Sequence, residues 1–188
     1  MDLLDAHGRA LRGFDRVILQ VGQRQWQNQT PCTEWNVHDL VNHLVYEQLW
    51  VPHLLAGRTL DEVGDRFDGD VLGSDPLQSW TEAATAARSA WTRPGALDGR
   101  VNVSSGQIAA DEYGWQMTLD LAVHGWDLAV AIDAPDPIDP DLAGTLLEQI
   151  GPEVEQWQGA GIFAPPVAVP ADAGPVARLL GLVGRDPG

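Results

Sequence analysis

The sequence predicts an all-α protein, a helical bundle of four main helices with additions, and three observations carry that prediction. Apolar residues recur at spacings of three, four and seven through several long segments, which is the period of an amphipathic helix. Clusters of Pro, Gly, Asp and Asn separate those segments, and such residues cap helices or break them. Only RVNVSSGQIAA invites a strand reading, as a short hairpin across Ser104 to Gly106, and two strands that short would hardly stand alone.

The elements follow in order. Leu3, Leu4, Leu11, Phe14, Val17, Ile18 and Val21 share one face of a first helix over residues 2–23. The turn-rich NQTPCTEWN comes next, and Asn36 is placed to cap a second helix over 37–56 that ends near Gly57. Residues 58–75, rich in Asp and Gly and without a sustained period, read as a long connection. Asp75-Pro76 starts a third helix over 76–92, with Leu77, Trp80, Ala84, Ala87 and Trp91 facing inward and Arg93-Pro94-Gly95 as its stop. A fourth helix spans 111–131 and is broken by Pro135, Pro137 and Pro140; a fifth spans 140–157, interrupted at Gly151-Pro152. The Pro-rich tail, 158–188, is expected to wrap the bundle (1–157) before a short last helix at 175–183, with the 188 residues forming one domain.

Charge narrows the partners. There are 27 acidic residues against 11 basic ones, all of them Arg, for a formal net charge of −16. Such a surface repels nucleic acid and anionic membranes. The lone Cys32 excludes an internal disulfide and any thiolate cluster, which suits a reducing cytoplasm. The N-terminus lacks the unbroken apolar run of a secretory signal, and no stretch of roughly 18 apolar residues could cross a bilayer. A small-molecule partner is expected, and the apolar, Trp-rich helices suggest a homodimer.

The chemistry concentrates in LDLAVHGWDLA, residues 119–129. Asp120 and His124, four apart on a helix, lie about 40° from each other around the axis and point the same way. A third ligand from a facing helix would complete a site, and His43, within VNHLVYE, sits beside the apolar stripe of the second helix. His43, Asp120 and His124 then form a two-histidine, one-carboxylate set suited to zinc, nickel or iron, with positions left for water or substrate. Glu47, one turn after His43, is a candidate catalytic base, a fourth ligand or a group that orients an imidazole. Plainer readings compete: a hydrogen-bonded core histidine, or a surface Asp–His ion pair. Cys32 has no accompanying His and Asn arrangement and reads as a small packed residue. His7, His38 and His53 read as solvated polar residues, and the eight Trp as core bulk.

TPCTEWNVHDLVNHL, then LDLAVHGWDLAVA, then ARLLGLVGRDP, in that order and over nearly the whole chain, resemble the actinobacterial metal-binding family grouped with the N-terminal domain of mycothiol-dependent maleylpyruvate isomerase, in the DinB-like superfamily. The resemblance implies an up-down-down-up four-helix bundle that holds a metal through a His of the second helix and a carboxylate–x3–His pair of a later one. Those positions fall on His43, Asp120 and His124. It also implies a low-molecular-weight thiol such as mycothiol as co-substrate, activated at the metal and presented to an electrophile to give an S-conjugate or, after reversal, an isomer. The isomerase carries a second, C-terminal domain that contributes to its active site, so a thiol S-transferase is expected here before an isomerase. Arg178 and Arg185 are candidates to close over an anionic substrate. The competing expectation is a metal- or small-molecule-binding bundle without catalysis.

Overall fold

The computed structural model describes residues 1–159 and 163–188, the side chains of 155–159 excepted. It is mostly helical, with one small antiparallel hairpin. Helix α1 (Leu3–Ile18) starts on Asp2, whose carboxylate accepts the Asp5 N–H, and stops five residues before its expected end. The Gln25 side chain causes that stop: its oxygen takes the Gly22 N–H at 2.8 Å, and its amide donates to the carbonyl of Ile132 at 3.1 Å. Residues 19–20 and 23–24 form turns in place of a last helical turn.

Helix α2 (Val37–Leu55) begins in the expected place, with Asn36 and Asp39 satisfying each other's backbone N–H groups. The expected connection contains one further turn, α3 (Leu60–Val63), capped reciprocally by Thr59 and Glu62. Four residues are too few to show a period, although the T-x-x-E signature is present. Helix α4 (Pro76–Trp91) is capped by Asp75, with proline in its first turn.

Strands β1 (Arg100–Val103) and β2 (Gly106–Ala109) pair in antiparallel register, Val101 opposite Ile108. The pair does not stand alone. Val101 is buried in a small apolar cluster with Trp50, Trp91 and Tyr113, and Asn102 donates to the carbonyl of Arg58 at 3.2 Å. Helix α5 (Ala110–Ile132) ends on Asp133 in the left-handed conformation. Helix α6 (Pro140–Gly159) runs through Pro152 where an interruption is expected. Ile150 and Val154, buried on either side of that proline, keep the apolar stripe in register and offset the lost backbone hydrogen bond. Helix α7 (Pro175–Leu182) closes the tail.

Helix α1 packs along α5 and α2 along α4, with further contacts of α2 on α5 and α1 on α4. This pattern is consistent with a bundle. The main core lies between these helices and includes Phe14, Leu40, Leu44, Leu121, Leu128 and Leu146. His7 corrects the expectation of a solvated side chain: it is 1% exposed. It lies on the same stripe as Leu3, Ala10 and Phe14, with its ring beside Trp91 and its Nδ1 3.3 Å from Arg88 Nη1. His38 and His53 are partly exposed, as expected. Among the described residues, no helix is long and apolar enough to cross a membrane.

Candidate metal centre

The seam where α2 faces α5 brings the three expected side chains together. His43 Nε2 and His124 Nε2 each stand 3.4 Å from Asp120 Oδ1, one imidazole from either helix on a single carboxylate oxygen. One ligand atom from each residue lies within 4.8 Å of the others. The ring centroids of His43 and His124 are 5.2 Å apart at a steep angle, so their nitrogens converge while their faces do not stack. The second Asp120 oxygen is buried and has no hydrogen-bond partner among the described residues. A lone buried acceptor is costly, and a cation shared by two imidazoles and this carboxylate would satisfy it. The donor set therefore fits a divalent transition ion.

The loop before α2 forms one wall. Thr30 Oγ1 donates to the carbonyls of Cys32 and Trp35, and the Trp35 N–H returns to the Cys32 carbonyl at 2.8 Å, which pins the turn. Trp35 then lies against both imidazoles, 4.8 Å from His43 and 5.5 Å from His124 between centroids. This tryptophan lines the site, a departure from the expectation that the Trp residues supply core bulk. Trp80 and Trp91 meet that expectation. A cavity of about 580 Å³ borders Cys32, Trp35, His43, Asp120, His124 and Arg185. A second, of about 690 Å³, begins at Glu47 and runs toward Trp50 and Tyr113.

Electrostatics tie these groups together. Burial alone would raise the Asp120 carboxyl, but His43 and His124 overcome it and hold the group well below the carboxylate range. Burial would lower His124, yet Asp120, Asp127 and Cys32 together raise it well above an ordinary histidine. A metal would compete with a proton for its Nε2. Glu47 is pushed up to about 7 by burial and by the Asp120 charge, against the pull of the two histidines. Glu47 does not join His43, Asp120 and His124 in their cluster of mutually close donor atoms, which disfavours the fourth-ligand option.

Behind His124 lies a group that the spacing did not reveal. Asp127, fully buried, accepts from His124 Nδ1 at 2.9 Å through Oδ2. The carboxylate can only accept, so Nδ1 carries the proton and Nε2 faces Asp120. Arg185 grips both Asp127 oxygens, Nη2 to Oδ2 at 2.7 Å and Nε to Oδ1 at 3.2 Å, and its Nη1 donates to the Val183 carbonyl. Arg185 is thus buried and committed, and it is not free to close over an anionic substrate; Arg178 is exposed. Cys32 is likewise no inert packing residue. Its sulfur accepts from Arg185 Nη2 at 3.0 Å and donates to Asp127 Oδ2 at 3.3 Å.

Among known families, the mycothiol maleylpyruvate isomerase N-terminal domain matches residues 7–129, a span that includes His43, Asp120, His124 and Asp127 and leaves out Arg185. Two curated relatives are uncharacterized proteins of Mycobacterium tuberculosis, one from strain CDC 1551 / Oshkosh and one from strain ATCC 25618 / H37Rv. Each is 30% identical to this chain, with 98% of both partners covered. No solved structure matches.

Proposed function

This chain belongs to the mycothiol maleylpyruvate isomerase N-terminal domain family, and from that premise we propose that it is a divalent-metal-binding, DinB-like bundle of up-down-down-up build that acts as a mycothiol-type, thiol-dependent S-transferase on a small electrophile. The observation that carries the reading is the convergence of His43, Asp120 and His124 beside a cavity large enough for a small molecule. Zinc is the first choice of ion, with nickel or iron served by the same donors. When bound there, such an ion stabilises a thiol as its thiolate, the nucleophilic form.

The chain's own groups do the rest. Asp127 fixes the tautomer of His124, and Trp35 braces both imidazoles. Glu47, one turn after His43 and raised by burial above the usual carboxylate range, is the group that accepts the thiol proton. The sulfur then forms a C–S bond to the electrophilic carbon, and the proton held by Glu47 passes to the leaving group, or to the carbanion if the reaction is an addition. The cavity beyond Glu47, lined by Trp50, Leu54 and Tyr113 together with Asp61, Asp68 and Ser104, suits a small electrophile without negative charge.

The test is thiol consumption by tag-free, zinc-loaded protein given mycothiol and 1-chloro-2,4-dinitrobenzene. Conjugation above the uncatalysed rate is expected, falling about 100-fold in His43→Ala and His124→Ala with helical circular dichroism retained. Zinc uptake without faster conjugation would leave a binding protein and overturn the transferase.

A further inference from the structure

We infer that Cys32, Asp127 and the Nδ1 edge of His124 form a second cation position that the Arg185 guanidinium already fills, so that the protein takes up one metal ion rather than two and Arg185 acts as a positioning residue for His124. The inference needs only donor geometry and stands apart from any thiol chemistry.

The three donors have the composition of a transition-metal site, and their ligand atoms lie within 4.8 Å of one another. Asp127 is 0% exposed, and a carboxylate so placed needs a positive partner. Its Oδ2 collects three donors: His124 Nδ1 at 2.9 Å, Cys32 Sγ at 3.3 Å and Arg185 Nη2 at 2.7 Å. The same Nη2 reaches Cys32 Sγ at 3.0 Å, so the guanidinium touches two of the three donor residues that a metal would use.

The cation comes from the far end of the chain. Arg185 is 58 residues from Asp127 and 153 from Cys32, and its own N–H is tied back to the Leu180 carbonyl of α7 at 2.9 Å. Docking of α7 therefore delivers the charge. His124 is common to both positions, with Nε2 toward Asp120 and Nδ1 toward Asp127. A guanidinium in the rear position keeps the proton on Nδ1 and leaves Nε2 as the ligating atom. A metal in the rear position would need Nδ1 deprotonated, so that His124 would bridge the two ions as an imidazolate.

Cobalt(II) titration of the metal-free 188-residue protein tests this, because a Co–thiolate bond gives a charge-transfer absorption in the near ultraviolet. Wild type is expected to bind one equivalent without that band. Arg185→Ala is expected to bind a second equivalent with the band present, the Cys32 thiol and the His124 Nδ1–H both releasing their protons to buffer. The band should vanish in Arg185→Ala combined with Cys32→Ser. Arg185→Gln, which keeps an N–H for Asp127, gives the same reading if the alanine variant unfolds.

Two outcomes overturn the inference: a thiolate band or a second equivalent in wild type, which needs no variant, or a folded Arg185 variant that shows neither. A wild type that binds no cobalt, beside an Arg185 variant that binds one equivalent with the band, would uphold the guanidinium-filled rear position while overturning both the count of one ion and the His43–Asp120–His124 centre.

Discussion

His7 and His124 are both buried, yet their surroundings drive them in opposite directions. Burial and the Arg88 charge lower His7 to about 3, whereas Asp120 and Asp127 outweigh burial at His124 and raise it. Because the folded pKa of His7 lies below its unfolded value of 6.5, the unfolded chain binds a proton between those two pH values that the folded chain refuses. Its contribution is therefore intact above pH 6.5 and is lost on acidification toward 3, by about 1.4 kcal/mol per pH unit. Urea unfolding of wild type and His7→Leu at pH 6.5 and 5.0 should show the stability difference shifting by roughly 1.5 kcal/mol in favour of the variant at the lower pH. A pH-independent difference would contradict this. The four-residue spacing made Asp120 and His124 legible, and the apolar neighbours of His43 marked its face. Asp127 was hidden because it approaches the other edge of the His124 ring; Arg185 stood out in the tail, but not its pairing with Asp127, because no local pattern joins positions 58 residues apart. The depth of His7 follows from its place on the stripe of Leu3, Ala10 and Phe14, which its polar character does not reveal.

At the scale of elements, the turn after α7 decides where Arg185 lies. Gly184 has φ +80°, and a Cβ there would stand 2.7 Å from the backbone oxygen of Ala164, an atom that cannot swing aside. Gly184→Ala should cost about 1–3 kcal/mol in unfolding free energy and, by displacing Arg185, admit cobalt to the position beside Cys32. Gly144→Ala, inside α6 with nothing within 4 Å, is the contrast and should stabilise by about 0.5–1 kcal/mol. A Gly184→Ala protein as stable as wild type would show that the tail does not depend on this turn. Helix starts were legible wherever a capping residue stands before an apolar run, as at Asn36 and Asp75. Ends were less so: α1 is cut short by a long-range bond from Gln25 to Ile132, and α6 passes Pro152 because burial on both sides outweighs one missing N–H.

For the whole molecule, a formal net charge of −16 surrounds a site built from two imidazoles and a carboxylate, a field that draws divalent cations toward it and repels anions. The all-α character was legible from periodicity, and the family from its motifs. The pairing of α1 with α5 and α2 with α4 rests on packing that period alone does not specify. The further contact of α2 on α5 places His43 of α2 opposite Asp120 and His124 of α5. The central claim is that these three side chains hold one cation, and a zinc-edge anomalous map of a zinc-soaked crystal tests it most directly. The account predicts a single strong peak about 2.0–2.2 Å from His43 Nε2, His124 Nε2 and an Asp120 oxygen, with none beside Cys32. No peak between those residues, or one held by other side chains, would contradict it.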